Sequence, residues 1–216
     1  TSTQYLRNFN NSGSVDSSGT VYLLTQGTAQ ISTSVYKYGT GSLKFNGTSD
    51  YIIVPPTPGW TFGTGDFTIE FWAYFTSFPS STVIISNWIN ASGSYSTGQW
   101  EIGTNNTSGQ LVFVWATGAS TISTLTSGTN YPTLNTWAHI AAARVNGVLT
   151  LYLNGVNVGS TSVPVALGST GTNAIGYQQV NTAQYFADHL DDIRITNGIS
   201  RYNGNFTPPT AAFVPF

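Results

Sequence analysis

The sequence YFADHLDDIRITNG, at residues 185–198, predicts a long strand near the end of the chain. Ile193 and Ile195 alternate with Asp192 and Arg194, as they would on the two faces of a strand. The Asn-Gly pair that ends the stretch favours a turn. This strand is therefore expected to have one face in a core and one face outside it.

A non-repetitive tail follows the predicted strand. Its Tyr202 and Phe206 are large aromatic side chains that need a surface to bury against. Pro208 and Pro209 end the segment, because proline cannot donate a hydrogen bond to a strand ladder. We expect the tail to pack back onto the domain.

The strongest local pattern lies earlier, at residues 137–160. Two Asn-Gly pairs, Asn146-Gly147 and Asn154-Gly155, separate three runs rich in β-forming residues. Tight hairpin turns of this kind need positive φ at both central residues, which Asn and Gly adopt most readily. The pattern predicts a three-stranded antiparallel meander.

Residues 66–75 alternate between an apolar and a mixed face. The apolar face carries Phe67, Ile69, Phe71, Ala73 and Phe75, and the mixed face carries Glu70, Trp72 and Tyr74. Aromatic residues on both faces indicate a central strand. No segment has helical periodicity with caps, and the short strands recur every 8–12 residues or so. The predicted fold is all-β, a single antiparallel β-sandwich of jelly-roll type.

The charge content limits the partners of this chain. Of its 216 residues, 6% are charged, with six Lys and Arg against eight Asp and Glu. Such a surface generates little long-range field, so we expect no nucleic-acid partner. Cysteine is absent, which excludes disulfides and thiolate metal sites. No apolar run is long enough to span a bilayer, so we expect no membrane insertion.

Ordered landmarks in the chain resemble the LamG-like jelly roll of the concanavalin A-like lectin/glucanase superfamily. The landmarks are Asp16-Ser-Ser-Gly19, Tyr38-Gly-Thr-Gly-Ser-Leu43 with Phe45-Asn-Gly47 and Asp50-Tyr51, Gly65-Asp-Phe-Thr-Ile-Glu-Phe-Trp72, Trp137-Ala-His-Ile-Ala141, Leu151-Tyr-Leu-Asn-Gly155 and Asp191-Asp-Ile-Arg-Ile195. On this basis residues 16–216 form the domain, and residues 1–15 form an N-terminal arm or first edge strand.

The ending from Arg201 to Pro209 is similar to a variant found in structural proteins of tailed phages and in large bacterial surface proteins. One departure from the family pattern occurs at Asp188 and His189, where the family usually has Gly and an aromatic residue. Asp tolerates positive φ better than most residues, so the bend at this point is expected to survive.

The resemblance brings glucanases into consideration, and the carboxylates argue against hydrolysis. The enzymes place two Glu with an Asp between them along one strand, whereas this chain has only Glu70 and Glu101, far apart in sequence. Glycoside hydrolysis needs paired carboxyls about 5 to 10 Å apart. His139 is expected to be a hydrogen-bonded structural histidine. We therefore predict that the protein is not an enzyme.

The resemblance also implies a structural Ca²⁺ as a possible cofactor. Asp16, Asp50 and Asp191 fall on the landmark turns and are the candidate ligands, since calcium prefers several oxygen ligands. The alternative is that each carboxylate caps a turn or accepts backbone N–H groups.

Glycan binding needs aromatic platforms beside amide and hydroxyl groups. The candidates flank predicted loops and are Trp60, Trp88, Tyr95, Trp100, Tyr177 and Gln178. The alternative is that these rings plug the ends of the sandwich or make protein contacts, which also favour Trp and Tyr. Trp72 and Trp137 lie on landmark strands and are expected to belong to the core.

These features lead us to expect an extracellular, non-enzymatic module that recognises glycans. The resemblance of the ending favours a phage virion component, such as a tail fibre or capsid decoration, with the bacterial cell surface as the alternative location. The competing interpretation is a purely structural virion module whose partners are neighbouring virion subunits. In either case we expect a homo-oligomer or a part of a larger assembly.

Overall fold

The computed structural model describes residues 3–7, 23–78, 81–89, 96–105, 108–168, 171–179 and 183–214. Within them the chain forms seventeen strands and one turn of 3₁₀ helix at Pro58–Trp60. The strands are β1 (Thr3–Arg7), β2 (Leu24–Gln26), β3 (Gln30–Ser32), β4 (Ser42–Asn46), β5 (Tyr51–Val54), β6 (Phe67–Tyr74), β7 (Ser81–Ile89), β8 (Trp100–Asn105), β9 (Gln110–Gly118), β10 (Thr121–Thr126), β11 (Trp137–Val145), β12 (Val148–Leu153), β13 (Val156–Ser162), β14 (Thr172–Ile175), β15 (Tyr177–Gln179), β16 (Ala183–Tyr185) and β17 (Ala187–Asn197).

The strands form two sheets. Sheet 1 has the order β13-β12-β11-β6-β17-β4-β3, with β1 also paired to β17. Sheet 2 has the order β10-β9-β8-β7-β14-β5-β2, with β15 beside β7 and β16 beside β15. The neighbouring strands are antiparallel except for β15 and β7. The predicted antiparallel β-sandwich is confirmed.

The three-stranded meander is also confirmed, as β11, β12 and β13. Its two turns hold Asn146 and Asn154 at φ of 48° and 51°. The glycines that follow them, Gly147 and Gly155, have φ of 80° and 79°. Because these angles are strained for most side chains, the two Asn-Gly pairs set the register of the meander.

The core lies between the sheets. One face of β6 carries Phe67, Ile69, Phe71 and Ala73, which are all 0% exposed, and Phe75 directly after the strand is 1% exposed, as the alternation predicts. Burial of each such large side chain contributes about 1.5–3 kcal/mol. The opposite face of β6 is buried too, because Glu70 and Trp72 are 0% and 5% exposed. A further layer must therefore cover the outer face of sheet 1.

That layer is the tail, residues 198–214. The rings of Tyr202 and Phe206 stack on each other with centroids 3.5 Å apart. They pack against Ala141, Ala143 and Tyr152 on the outer face of sheet 1. Tyr202 and Phe206 are thus partly buried, as the sequence predicts, and the surface that they cover is the outer face of sheet 1.

Strand β17 bends at two aspartates. Asp188 has φ of 89° and Asp192 has φ of 46°, and the register shifts between Asp191 and Arg194. Thr76 donates to the Asp188 carboxylate from its backbone N–H at 2.7 Å and from its hydroxyl at 2.6 Å. The expectation that Asp188 sustains the bend is therefore correct.

Two further sequence expectations concern the domain boundary and membrane insertion. The expected domain boundary at residue 16 lies in the segment 8–22, so it stays a prediction, although β1 pairs with β17. Within the described residues, no helix is long and apolar enough to cross a membrane.

Candidate functional site

Two of the predicted sugar-stacking residues lie in the core. Trp60 and Trp100 are 1% and 0% exposed, and their rings stack with centroids 5.8 Å apart. Phe62 and Phe113 pack on the Trp100 ring at 5.4 and 5.8 Å. The expectation that these tryptophans line a binding rim is wrong in this structure, because a buried ring offers no face to a sugar. They plug an end of the sandwich, which is the alternative considered from the sequence.

Trp88 is also buried, at 1% exposed, but it lies on the other side of sheet 2. It packs against Val112 and Val114, which flank the core residue Phe113 and so point away from the core. Its predicted role as an exposed platform does not fit this burial. Tyr95 lies outside the described residues, so its role stays a prediction.

Tyr177 and Gln178 lie together on β15, where they are 5% and 6% exposed. The Tyr177 ring stacks on Tyr51 at 4.3 Å and packs on Tyr185 at 4.9 Å, and we call these three residues the tyrosine cluster. Burial and the neighbouring phenols raise the pKa of Tyr177 to about 12, so it remains a hydrogen-bond donor at neutral pH. Tyr51 and Tyr185 are half-buried, so this cluster keeps a partly exposed aromatic edge.

An open depression of about 180 Å³ lies at an end of sheet 1. It is lined by Thr133, Thr136, Trp137, Ala138 and Asn154, and we call it the Trp137 depression. The threonines come from the loop before β11, Trp137 begins β11, and the Asn-Gly turn between β12 and β13 supplies Asn154. The depression thus combines an indole, two hydroxyls and an amide.

Trp137 is half-buried, which corrects its sequence-based assignment to the core. Its ring contacts Tyr74 at 5.6 Å, and it packs beside Trp72 and Phe213. A sequence signal for this exposure was its position as the first residue of a strand, directly after a polar loop. Residues in the middle of the same strand, such as Ile140, are fully buried.

Hydrogen bonds orient the polar groups of the depression. Asn154 accepts the backbone N–H of His139 through Oδ1 at 2.9 Å, and its own N–H donates to the His139 carbonyl at 2.8 Å. The Thr136 hydroxyl donates towards the carbonyls of Thr133 and Leu134 at 3.0 and 3.1 Å, so its oxygen remains able to accept. Within the described part of the chain, Asn154 Nδ2, Trp137 Nε1 and the Thr133 hydroxyl make no hydrogen bond.

The tail clamps the turn that carries Asn154. The Phe206 N–H donates to the Gly155 carbonyl at 2.8 Å, and the Asn157 N–H donates to Asn205 Oδ1 at 2.8 Å. A Cβ on Gly155 would collide with the carbonyl of Phe206. The tail therefore fixes one wall of the depression.

The sequence matches a model of a known protein family. Residues 46–199 match Laminin_G_3, described as the concanavalin A-like lectin/glucanases superfamily. The chain belongs to this superfamily. No curated protein sequence matches it.

Solved structures with the concanavalin A-like fold resemble the chain. The binding domain of Paraclostridial Mosquitocidal Protein 1 has a TM-score of 0.73 at 18% identity, covering 93% of this chain and 50% of that one. Domain 4 of AbnA, a GH43 extracellular arabinanase from Geobacillus stearothermophilus in complex with arabinotriose, has a TM-score of 0.66 at 20% identity, covering 91% and 92%. The binding domain of Botulinum Neurotoxin DC in complex with SialylT has a TM-score of 0.65 at 16% identity, covering 92% and 48%.

These identities establish likeness of fold alone. The chain spans about half the length of the two toxin domains and nearly all of the arabinanase domain. What each neighbour binds is a property of that neighbour.

The two glutamates of this concanavalin A-like sandwich lie on opposite outer faces. Glu70 alternates with core residues of β6 in sheet 1, and Glu101 alternates with core residues of β8 in sheet 2. Packed sheets are about 10 Å apart, and both side chains point away from the core. The two therefore do not form the closely spaced carboxyl pair that glycoside hydrolysis needs.

Both carboxylate oxygens of Glu70 are occupied by contacts with neighbouring side chains. Arg194 lies 2.7 Å from Oε1, while Tyr202 donates to Oε2 at 2.6 Å and His139 Nε2 lies 3.2 Å from it. Burial alone would raise the pKa of Glu70, but the His139 and Arg194 contacts outweigh it and lower the pKa. His139 is therefore a hydrogen-bonded structural histidine, as predicted.

Glu101 has a contrasting environment. It lies opposite Ser86 and Val114 on the neighbouring strands, and its Oε2 is buried with no hydrogen-bond partner among the described residues. Burial raises the pKa of Glu101 to about 8, so the carboxyl is protonated at neutral pH.

The calcium candidates lie apart. Asp50 accepts the N–H groups of Thr28 at 2.6 Å and Asn46 at 3.0 Å, beyond one end of β4. Asp191 lies near the other end of β4 and accepts the backbone N–H groups of Lys37, Tyr38 and Asp192 at 2.9, 3.1 and 2.9 Å.

Both carboxylates thus bind backbone N–H groups, which is the alternative role considered from the sequence. Asp16 lies outside the described residues. Within the described parts of the chain, no group of three or more His, Cys, Asp or Glu side chains converges. Calcium binding stays a prediction, which thermal melts with calcium and with a chelator would check.

Proposed function

We propose that this chain is a non-catalytic glycan-binding module and that the Trp137 depression is its sugar site. The observation that carries the proposal is the combination of a partly exposed indole with the Thr133 hydroxyl and the Asn154 amide in one open depression. Sugars present an apolar ring face beside hydroxyl groups. An aromatic ring with adjacent donors and acceptors complements both features.

Two neighbours of the same fold support this chemistry. The arabinanase domain was solved with arabinotriose, and the neurotoxin DC domain was solved with SialylT. The carboxyl geometry supports the non-catalytic part of the proposal, because Glu70 and Glu101 lie on opposite faces.

We place the module on an exterior surface, as a tail fibre or capsid decoration of a phage virion, with a bacterial cell surface as the alternative. The support is the ending from Arg201 to Pro209, which is similar to that of tailed-phage structural proteins. The low charge of the chain suits recognition of uncharged partners. Assembly as a homo-oligomer would add avidity to weak single sites.

A glycan-array screen of the purified chain tests the sugar site. Trp137→Leu keeps apolar volume but removes the flat ring, so it is expected to abolish binding. Tyr51→Ala is the matched control, since Tyr51 is also a half-buried aromatic residue but belongs to sheet 2. Binding that survives Trp137→Leu and disappears with Tyr51→Ala would move the site to the tyrosine cluster.

A second candidate function is a structural virion module without sugar binding. Tyr131 and Leu134 are 39% and 40% exposed in the loop that leads into the Trp137 depression. Exposed aromatic and aliphatic side chains also suit a protein interface. A silent glycan array, together with an oligomer that Leu134→Ser dissociates in analytical ultracentrifugation, would establish this function instead.

A further inference from the structure

The described residues that line the Trp137 depression are all uncharged. Thr133, Thr136, Trp137, Ala138 and Asn154 contribute indole, methyl, hydroxyl and amide groups. An anionic sugar that enters such a site loses hydration of its carboxylate without gaining a cationic partner. Burial of an unpaired charge is costly.

The cations whose side chains are described lie elsewhere in the fold. The chain has six Lys and Arg residues, and the side chains of five are described. Their positions are Arg144 on the carbonyls of Gly63 and Gly65, Arg194 and Arg201 at Glu70, Lys37 over the Trp72 ring, and Lys44 on β4. None of these five lines the depression.

The hydrogen-bonding capacity of the depression matches hydroxyl groups. Asn154 Nδ2 and Trp137 Nε1 are donors that make no hydrogen bond among the described residues, whereas the Thr136 oxygen can accept. A hydroxyl can accept from the first two groups and donate to the third. A carboxylate can only accept, so it cannot donate a hydrogen bond to the Thr136 oxygen.

We infer that the Trp137 depression selects an uncharged sugar residue and discriminates against sialic and uronic acids. This inference rests on the proposed function and specifies its ligand class. Sugar hydroxyl and ring oxygens accept from Asn154 and Trp137, and the apolar sugar face lies against the indole.

Matched glycan pairs test the inference. The dissociation constant is measured for a glucose-terminated and a glucuronate-terminated glycan, and for a galactose-terminated glycan with and without a sialic acid cap. We expect the uncharged member of each pair to bind at least about tenfold more tightly, equivalent to about 1.4 kcal/mol. We also expect its affinity to be equal at ~0.1 and ~1 M salt, since no ion pair is screened.

Equal or tighter binding of the acidic members would overturn the inference while leaving a glycan-binding function in place. A strong loss of affinity at high salt would do the same. Silence towards all members would refute the proposed function, and the inference with it.

A variant with an added positive charge tests whether the lack of a cation at the depression is what disfavours acidic sugars. Thr133 is exposed and its hydroxyl makes no hydrogen bond to any described residue, so Thr133→Lys adds a cation at the rim at little structural cost. Because Thr133 also lines the site, the readout is the ratio of affinities within each pair, and we expect this variant to raise the affinity for the acidic member relative to its uncharged partner. Thr124→Lys is the control, because Thr124 is exposed on sheet 2 and gives the same net charge. If Thr133→Lys and Thr124→Lys behave alike, the missing cation is not what excludes acidic sugars.

Discussion

Substitution of Gly155 by alanine provides a sharp test of the tail as a structural layer. Gly155 has φ of +79°, and an added Cβ would collide with the Phe206 carbonyl oxygen and lie 2.9 Å from its carbon. These are backbone atoms, so no side-chain rotation relieves the contact. Gly155→Ala must therefore displace the tail from the turn.

The matched control is Gly147→Ala in the other Asn-Gly turn of the meander. Gly147 has φ of +80°, and its added Cβ would meet nothing within 4 Å. Both variants carry the left-handed strain of alanine, about 1–2 kcal/mol. Gly155→Ala additionally loses the Phe206 hydrogen bond, about 1 kcal/mol, and part of the aromatic packing of Tyr202 and Phe206, about 1–2 kcal/mol.

We expect Gly155→Ala to lower the free energy of unfolding by about 3–5 kcal/mol, and Gly147→Ala by about 1–2 kcal/mol. Urea unfolding followed by tryptophan fluorescence measures both. The displaced turn also carries Asn154, so Gly155→Ala should weaken glycan binding whereas Gly147→Ala should not. Equal destabilisation by the two variants would refute the idea that the tail is a stabilising layer docked on this turn.

Three further predictions concern the buried groups. Because burial raises the pKa of Glu101 from 4.5 to about 8, the folded state keeps a proton that the unfolded state releases, and stability should fall as pH rises through this interval. Glu101→Gln should remove up to about 1.4 kcal/mol per pH unit of that slope; an unchanged slope in urea titrations would contradict the assignment. Tyr202→Phe deletes the donor to the Glu70 carboxylate and should cost about 1.5–3 kcal/mol, whereas Tyr131→Phe, on an exposed side chain, should cost almost nothing. Trp100→Ala should lower the free energy of unfolding by about 3–5 kcal/mol, because it truncates a core side chain. A variant that kept full thermal stability but lost glycan binding would show instead that Trp100 contacts the sugar.

The strands and turns of the meander follow from short-range patterns. Alternation along residues 66–75 correctly placed one face of β6 in the core, because neighbouring side chains on any strand point to opposite faces. The two Asn-Gly turns were predictable for a similar reason, since their positive φ is a local requirement. The need of Tyr202 and Phe206 for a buried contact was also visible in the chain.

Exposure of individual aromatic residues was not predictable in this way. Trp60 and Trp100 flank predicted loops but stack inside the sandwich, while Trp137 begins a predicted core strand but lines a partly exposed depression. These outcomes depend on which distant segments pack against each ring, such as the 3₁₀ turn at Pro58–Trp60. Local sequence does not specify such contacts.

The sequence by itself determined the alternating strands, the tight turns and the family to which the chain belongs. Only the tertiary structure decided that the tail covers the outer face of sheet 1, where Tyr202 and Arg194 saturate Glu70. It also decided that Asn154 and Trp137 meet in one depression, which includes none of the tryptophans that the sequence favoured. The physical reason is that backbone geometry is set by neighbouring residues, whereas burial and ligand-binding geometry are set by side chains that the folded sheets bring together from distant positions.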